Sequence, residues 1–379
     1  MAEPFKNLVN AALIDDAVRH LHRTWPGFDR ARFRSLATNG LDALELKARA
    51  MHVCAALEAT LPDDFHRAAD ILESSLGPPA VGDDLSSMRM TDAGLAGWIL
   101  WPVGEFVARR GLDHPVRALQ LLHALTQRFS AEFAIRPFIV RHQDLTLATL
   151  ATWTRDPSAH VRRLVSEGSR PRLPWGTQLK ALIADPSPTL PLLEVLQDDA
   201  SEYVRRSVAN HLNDIAKDHP ALLIDWVARY LPGASRDRRT LLKHASRTLI
   251  KRGHPGMMTL WGVGRRLAGE ATCSASPKRV SLGGEVTLRL VLRSDSSRTQ
   301  KLAIDYAVHH VKANGATSPK VFKGWVVDLA PHETRTLAKR HSMRPVTTRR
   351  YHPGRHAVDV MVNGQVVATT SFHLLGVRS

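Results

Sequence analysis

Two matching stretches decide the fold of the helical part, Asp156-Pro-Ser-Ala-His-Val-Arg-Arg-Leu-Val-Ser-Glu167 and Asp199-Ala-Ser-Glu-Tyr-Val-Arg-Arg-Ser-Val-Ala-Asn210. They lie 43 residues apart and are identical at six of their twelve positions. This offset, with two helices in each unit, is typical of HEAT-like repeats, which stack helix pairs into a solenoid. We expect the Asp-x-Ser start of each stretch to be the N-cap of the second helix. Two looser units flank the pair, at 130–142 and 235–252.

The period of the apolar residues changes near residue 268. Before it, apolar side chains recur every three or four residues, for example in Pro115 to Phe129 and Pro220 to Leu231, as in amphipathic helices. After Gly269 they alternate, and Asn363-Gly364 joins two alternating runs, which predicts a type I′ hairpin. Six or seven short strands in the last 110 or so residues fit an immunoglobulin-like sandwich without a disulfide.

The sequence therefore predicts a multidomain α + β protein. An N-terminal all-α HEAT-like repeat solenoid occupies residues 1–268, and a C-terminal immunoglobulin-like β-sandwich occupies residues 269–379. A chain of 379 residues is long enough for two such domains.

The net charge of +16 is unevenly distributed. Residues 1–130 carry −2, residues 131–270 carry +7 and residues 271–379 carry +11. Lys and Arg side chains release the counterions condensed on phosphates, so this gradient favours a polyanionic partner, with nucleic acid first. A protein that merely has a high pI remains the alternative.

Several classes of protein are excluded. The two cysteines, Cys54 and Cys273, rule out a disulfide framework and a cysteine-built metal site. No stretch approaches the length of a membrane span, and the N-terminus lacks a secretory pattern. We therefore expect a cytoplasmic monomer that does not bind membranes. The sequence contains no HExxH and no phosphate-binding glycine loop, so we predict no metal site and no cofactor.

The second helices of the repeats are expected to display a basic stripe with acids inside it. Extrapolated helical spacing puts Arg163, Glu167 and Arg170 on one exposed face. The corresponding stripe of the next repeat holds Arg206 and Asp214, with Lys217 as a local partner for the acid. The preceding repeat adds Glu132, which is expected to pair with Arg136. The following repeat adds the basic residues Arg239, Lys243 and Arg247.

The presence of acidic side chains within such a basic surface can be interpreted in two ways. Glu and Arg residues four apart are usually surface ion pairs worth a few tenths of a kcal/mol. Acids that face phosphate contribute nothing to DNA binding, but acids that face a cation would be useful. The three acids therefore mark a candidate site for positively charged chemistry.

Tryptophan is unusually frequent, with eight residues beside four tyrosines. Trp98, Trp153, Trp226 and Trp261 lie in helical runs and are expected to be packing residues. Trp175 instead follows Pro174 in a loop that also contains Arg170 and Arg172. It can stack on a base or sugar, or it can fasten the loop to the solenoid.

The C-terminal domain has a dense cationic segment that contains Arg349, Arg350, Tyr351 and His352. Loops at the end of a sandwich are free to bind ligands, and this one suits phosphate contact or groove insertion. A solvated charged loop is the alternative.

With these features the chain resembles the AlkC branch of the AlkC/AlkD family of DNA glycosylases. The resemblance covers essentially the whole chain, and its most specific part is the block ending Asn210-His-Leu-Asn-Asp-Ile-Ala-Lys217. The other segments that carry it are Gly97–Pro102, Asp156–Trp175, Tyr203–Asp214 and Lys243–Arg247.

The resemblance implies excision of cationic N3-alkylated bases, 3-methylcytosine and 3-methyladenine, from double-stranded DNA. It implies that Glu132, Glu167 and Asp214 are active-site carboxylates and that Trp175 contacts the lesion. We expect Asp214 and Glu167 to stabilise an oxocarbenium-like sugar and position water, with Glu132 in support. The residues expected to hold DNA phosphates are Arg163, Arg170, Arg206, Lys243, Arg247, Arg349 and Arg350. The sandwich is expected to clamp DNA.

Two other functions remain open. A non-enzymatic HEAT-repeat scaffold that grips nucleic acid or an acidic protein would use the three acids only as ion-pair partners. A glycosylase acting on RNA would release methylated bases from single-stranded RNA at comparable rates. Whether the damaged base is flipped or excised while stacked is not decided by the sequence.

Overall fold

A computed structural model describes residues 4–84, 88–262, 266–346 and 349–376. It confirms a helical N-terminal part followed by a β-rich C-terminal part, and the first strand begins at Gly269. By compactness the chain forms two units. The first contains residues up to His219 with Gly233–Ala245, and the second contains Pro220–Pro232 with the residues from Ser246 onward.

The first compact unit is all-helical within the described residues. Its helices are α1 (Ala11–Thr24), α2 (Arg30–Thr38), α3 (Leu46–Glu58), α4 (Phe65–Ser74), α5 (Leu100–Arg110), α6 (Pro115–Thr126), α7 (Arg136–Arg141), α8 (Gln143–Trp153), α9 (Ala159–Gly168), α10 (Lys180–Ala184), α11 (Leu190–Leu196), α12 (Glu202–Ile215) and α14 (Arg236–Ala245). Short 3₁₀ turns occur at Phe5–Leu8, Leu41–Ala43, Gly97–Ile99 and Ser187–Thr189.

The second compact unit combines three helices with eight strands. The helices are α13 (Pro220–Tyr230), α15 (Arg247–Lys251) and α16 (Pro255–Leu260). The strands are β1 (Gly269–Ser276), β2 (Arg279–Ser281), β3 (Glu285–Ser294), β4 (Gln300–Val311), β5 (Thr317–Leu329), β6 (Thr334–Ser342), β7 (Gly354–Val362) and β8 (Gln365–Leu375).

The strands form a sandwich of two sheets, in the orders β1-β3-β6 and β2-β8-β7-β4-β5. All neighbours are antiparallel except β2 and β8. The predicted hairpin is confirmed: Asn363 and Gly364 have φ of 52° and 80°, as a type I′ turn requires, and Val362 pairs with Gln365. Buried and exposed side chains alternate along β3, which is why its period could be recognised in the sequence.

The second helices of the repeats pack side by side, α9 against α12 and α12 against α14. Val161 and Val165 on α9, like Val204 and Val208 on α12, are completely buried. These four valines occupy two of the six identical positions of the matching stretches, so this part of the repeat identity reflects the core between neighbouring helices.

The first arginine of each Val-Arg-Arg sequence connects one repeat to the next. Arg162 makes two hydrogen bonds, of 2.6 and 3.0 Å, to the carboxylate of Asp199, and Arg205 lies 3.0 Å from Asp237. Asp199 also accepts the backbone N–H of Ser201 at 2.9 Å. The N-cap expectation is thus corrected in detail, since Ser201 caps α12 without a side-chain hydrogen bond and the aspartate oxygens orient the turn before the helix.

The expected surface pair of Glu132 and Arg136 is wrong. Residues 132–135 form a turn and the helix begins only at Arg136, so Glu132 and Arg136 do not lie on the surface of one helix. Arg136 is 1% exposed and donates to the backbone carbonyls of Thr177 (2.7 Å), Gly168 (2.9 Å) and Arg170 (2.8 Å). Burial lowers its pKa to about 10, although it remains a cation at neutral pH. One guanidinium therefore holds the backbone that follows α9.

Replacing Arg136 with Met should lower the free energy of unfolding by about 3–5 kcal/mol, since three carbonyls would lose their donor in the protein interior. Chemical denaturation measures this. Arg141→Met is the matched control, because Arg141 forms an exposed ion pair with Asp113 and should change the free energy by less than about 1 kcal/mol. Equal losses in the two variants would show that Arg136 does not organise this segment.

Candidate active site

An open cleft of about 850 Å³ lies in the first compact unit. Its walls come from the Gly97–Ile99 turn, the start of α5, the segment before α7, α9 and the loop that follows α9. Its apolar lining residues are Leu8, Met88, Trp98, Trp101, Phe129, Phe133, Leu173, Pro174 and Trp175. Its polar lining residues are Arg89, Ser130, Glu132, Arg163, Glu167 and Arg170. The cleft thus joins an aromatic wall to a charged wall.

The charged wall belongs to a network of alternating acids and bases. In order, its ion pairs are Glu132–Arg163 (2.6 Å), Arg163–Glu167 (3.7 Å), Glu167–Arg170 (2.6 Å), Arg170–Asp214 (2.9 Å) and Asp214–Lys217 (2.7 Å). We call this set the ion network. It brings together the three predicted acids, although the first, Glu132, and the last, Asp214, lie 82 positions apart in the sequence. Three acids and three bases leave the network without net charge.

The three acids differ in the exposed fraction of their side chains and in whether they line the cleft. The side chains of Glu132, Glu167 and Asp214 are 17%, 8% and 1% exposed. Glu132 and Glu167 line the cleft, whereas Asp214 is absent from the described lining residues and lies behind Arg170. The predicted local partner Lys217 is confirmed for Asp214.

The expectation of an exposed stripe is wrong for Glu167, Arg170 and Asp214, which are 6%, 6% and 1% exposed. Helix α9 ends at Gly168, so Arg170 does not continue its helical face. The chain turns back after α9 and carries Arg170 between the carboxylates of Glu167 and Asp214. Arg170 Nε and Nη1 thus donate to two acids of the ion network.

The pKa of Glu167 lies below its usual value. Burial opposes ionisation, but the guanidinium groups of Arg163 and Arg170 and a hydrogen bond from Ser207 outweigh it. Glu167 is therefore a carboxylate at neutral pH despite its burial. A group of this kind stabilises positive charge and is poorly suited to act as a proton donor.

Each glutamate of the cleft also accepts a serine hydroxyl, a feature that sequence reasoning missed. Ser130 donates to Glu132 at 2.8 Å, and Ser207 donates to Glu167 at 2.6 Å. Ser130 could have been suspected from its position two residues before Glu132. Ser207 lies 40 residues from Glu167, and only the packing of α12 on α9 brings them together.

Trp175 is 75% exposed and has a φ of 65°, in the left-handed region that non-glycine residues avoid. Its ring lines the cleft although the backbone conformation is unfavourable by about 1–3 kcal/mol. An exposed, strained tryptophan contributes little to the stability of the fold. The interpretation of Trp175 as a ligand-contacting residue is favoured over a loop-fastening role.

The aromatic wall contains residues that the sequence did not single out. Trp98 lies 5.1 Å from Phe129, and Trp101 stacks on Phe133 at 5.4 Å between ring centroids. Trp98, expected to be a packing residue, is half-buried and lines the cleft. Its helical neighbourhood concealed this role, because the turn at Gly97–Ile99 directs it to the cleft before α5 begins.

The remaining predicted DNA-binding residues do not belong to this cleft. Arg206 pairs with Glu202 on the surface of α12, and Lys243 is exposed on α14. Arg247, expected to continue the stripe of α14, instead begins α15 in the second compact unit. The reason is that α14 ends at Ala245.

In the sandwich, Arg349 donates to His310 at 2.8 Å and Arg350 is exposed. Both line a shallow pocket of about 250 Å³ that also contains Lys312, Lys320 and His352. The predicted cationic segment is therefore a surface feature of the sandwich, although its positions 347 and 348 lie outside the described residues.

No cluster of three or more His, Cys, Asp or Glu side chains in residues 4–84, 88–262, 266–346 or 349–376 could hold a metal ion. No helix in the same ranges combines the length and the apolar character needed to cross a membrane.

Comparison with known families matches both parts of the chain. The family model described as "DNA alkylation repair enzyme" matches residues 129–249, which include Glu132, Glu167 and Asp214. The model described as "Uncharacterised protein YhaZ, C-terminal Ig-like domain" matches residues 270–376.

Two relatives match over nearly their full length. The uncharacterized protein YhaZ of Bacillus subtilis is 37% identical over 373 residues, which cover 97% of this chain and 99% of YhaZ. The alkylpurine DNA glycosylase AlkC of Pseudomonas fluorescens, solved bound to DNA containing an abasic site analog, is 33% identical with a TM-score of 0.86. That match covers 99% of this chain and all of the AlkC chain. With its helical and immunoglobulin-like parts both accounted for, the chain belongs to the AlkC branch of the AlkC/AlkD DNA alkylation repair family.

Proposed function

We propose that this protein is a DNA glycosylase of base excision repair that removes cationic N3-alkylated bases, 3-methylcytosine and 3-methyladenine, from double-stranded DNA. The observation that carries this proposal is one cleft that contains Glu132, Glu167 and the exposed ring of Trp175. The relative from Pseudomonas fluorescens, an alkylpurine DNA glycosylase bound to DNA, supports DNA as the substrate.

The chemistry follows from the charge of the substrate. A base methylated at N3 is a cation, so it can leave with the electron pair of the N-glycosidic bond as a neutral molecule without being protonated. Water then adds to the sugar C1′ and loses one proton. The enzyme has to stabilise the oxocarbenium-like sugar and orient the water, which are tasks for fixed carboxylates. The reaction uses water alone, without a cofactor and without strand cleavage.

Glu132 and Glu167 are the carboxylates that we assign to the reacting sugar, because both line the cleft. Glu132 is already oriented by Arg163 and Ser130, and Glu167 by Arg163, Arg170 and Ser207, so little reorganisation is needed when positive charge develops. Asp214, which the sequence suggested as a direct participant, acts in this proposal through Arg170, which it holds against Glu167.

The aromatic wall has a complementary role. Because the ion network is neutral and Arg89 adds a positive charge to the lining, net charge does not attract a cationic base to the cleft. The faces of Trp98 and Trp175 offer a negative π surface to a delocalised cation, an interaction worth about 0.5–2 kcal/mol. Base release then makes the leaving group neutral and removes this attraction.

We propose that the predicted DNA-binding cations that lie outside the cleft bind DNA phosphates. Arg206 and Lys243 do so from the first compact unit, and Arg247, Arg349 and Arg350 from the second, whose sandwich we propose to be a DNA clamp. Arg163 and Arg170 are removed from this set, since their guanidinium groups bind the carboxylates of the ion network.

One observation favours the scaffold alternative, since every acid of the network is ion-paired. Incubation of the protein with methylated duplex DNA and chromatographic analysis of the released bases separates the two functions. We expect free 3-methyladenine and 3-methylcytosine. Binding without release would favour the scaffold, and comparable release from methylated single-stranded RNA would favour an RNA glycosylase.

Glu167→Gln should reduce the single-turnover excision rate by about 100-fold or more, since a fixed charge that faces the transition state is lost. Asp199→Asn is the matched control: its carboxylate is 5% exposed and ion-paired with Arg162, but it belongs to the repeat-to-repeat contact. Both variants should bind abasic DNA like the wild type. Similar rates for the two variants would contradict a catalytic role for Glu167.

Trp175→Gly should separate stability from activity. Glycine adopts a φ of 65° without strain, so the melting temperature should stay constant or rise. The excision rate should fall about tenfold, because a stacking contact of about 1–3 kcal/mol with the nucleotide is removed. Thermal denaturation and single-turnover assays measure the two effects, and an unchanged rate would leave Trp175 without a functional role.

Arg350→Gln should weaken DNA binding and reduce the slope of log K against log salt by about one, as expected for one lost phosphate contact. Arg289→Gln removes the same charge from the exposed face of β3 and should leave the slope unchanged. Fluorescence anisotropy at several salt concentrations provides the slopes. If the two variants behave alike, the cationic segment is not part of a clamp.

A further inference from the structure

A hydroxyl group replaces an apolar side chain at a core position of α12. In the internal repeat, Ser207 corresponds to Leu164, 43 residues earlier, and Leu164 is a buried core residue, 1% exposed. Ser207 itself is 2% exposed, so its hydroxyl is not there to contact solvent. A buried hydroxyl at a helix position that packs inward is unfavourable unless it is hydrogen-bonded.

The partner of this hydroxyl is the carboxylate of Glu167. Ser207 Oγ donates to Glu167 Oε2 at 2.6 Å, a distance typical of a hydroxyl bound to an ionised carboxylate. The other oxygen, Oε1, accepts from Arg170 at 2.6 Å. The two oxygens are therefore held by different parts of the chain, one by the segment after α9 and one by α12. With only Arg163 and Arg170, which both contact Oε1, the carboxylate could still rotate about its last torsion.

We propose that Ser207 is a positioning residue for base excision, which fixes the orientation of the Glu167 carboxylate at the wall of the cleft. The inference rests on the proposed glycosylase function and adds a residue that does not line the cleft within the described part of the chain. The hydroxyl acts only through Glu167. Glu132 has a similar arrangement with Ser130, but Ser130 is itself a cleft residue.

Several charged or titratable groups surround Glu167. Helix α9 and the segment after it contribute Arg163 and Arg170. The segment before α9 and the start of α7 contribute Glu132 and Arg136. Helix α12 contributes Tyr203, His211 and Asp214. Burial and the two arginines have larger effects on the pKa of Glu167 than Ser207, whose hydrogen bond lowers it. Loss of the hydroxyl should therefore raise the pKa of Glu167 without preventing its ionisation at neutral pH.

The matched control is Ser166, the residue directly before Glu167. It is completely buried, and within the described residues its hydroxyl has no hydrogen-bond partner. The next repeat has Ala209 at the equivalent position, so alanine fits this site. Ser166→Ala and Ser207→Ala thus delete the same buried atom, but only the second deletion affects Glu167.

The experiment compares the wild type with Ser207→Ala, Ser207→Cys and Ser166→Ala in full-length protein. Single-turnover release of 3-methyladenine from methylated duplex DNA is measured between about pH 4 and pH 8, a range that extends below the ordinary pKa of a glutamate, together with the Kd for abasic DNA. Ser207→Ala should be about tenfold slower at neutral pH, as expected for a lost hydrogen bond to a charged group. Its acid limb should shift to higher pH. Ser207→Cys, a weaker donor, should fall between it and the wild type.

The control and the binding measurement complete the test. Ser166→Ala should match the wild type, and every variant should keep the Kd for abasic DNA within about twofold, since product binding does not depend on the transition state. An active wild type with an unchanged rate and pH profile in Ser207→Ala overturns the role of Ser207 alone. Equal rate losses in the two alanine variants also overturn it, because they indicate a structural effect. A wild type that releases no base overturns the proposed function and this inference together.

Discussion

The buried alternation of acids and bases in the ion network constrains everything else at the cleft. Removing one partner from a buried ion pair leaves an uncompensated charge and typically costs about 3–5 kcal/mol. Arg170 has this position between Glu167 and Asp214, with side chains of 8%, 8% and 1% exposure. The network therefore ties α9, α12 and the intervening segment into one arrangement. Two glutamates are left at the surface of the cleft with their orientation already determined.

This arrangement explains how an acid can be both ion-paired and useful. A network without net charge can still produce strong local electric fields, because each carboxylate keeps its own charge. The aromatic wall beside the carboxylates is apolar, so their charge interactions are weakly screened there. The arginines and serines hold the carboxylates in place, and the cleft side of Glu132 and Glu167 faces the space that a substrate would occupy. The scaffold hypothesis predicts that the acids are ion-paired, and the proposed catalytic site requires that they are held in place. The same contacts satisfy both.

Backbone support is equally specific around the cleft. The carbonyls of Gly168, Arg170 and Thr177 converge on Arg136, and this fixes the segment that carries both Arg170 and Trp175. The strained φ of Trp175 can persist because its neighbours are held in this way. The cations that we propose for DNA binding lie outside the cleft, and residues 271–379 carry a net charge of +11, whereas the ion network itself is neutral.

Local periodicity and recognisable motifs were sufficient to predict the two architectures, the internal repeat, the hairpin at Asn363-Gly364 and the three acids of the ion network. The packing of distant segments had to be seen to learn which acids reach the cleft, that Arg136 and Arg170 are buried, that Trp98 lines the aromatic wall and that Ser207 binds Glu167. These features arise where segments tens of residues apart meet, or where a helix ends earlier than its spacing suggests, as α9 does at Gly168. Helical periodicity cannot report them, because it describes one element and contains no information about its neighbours.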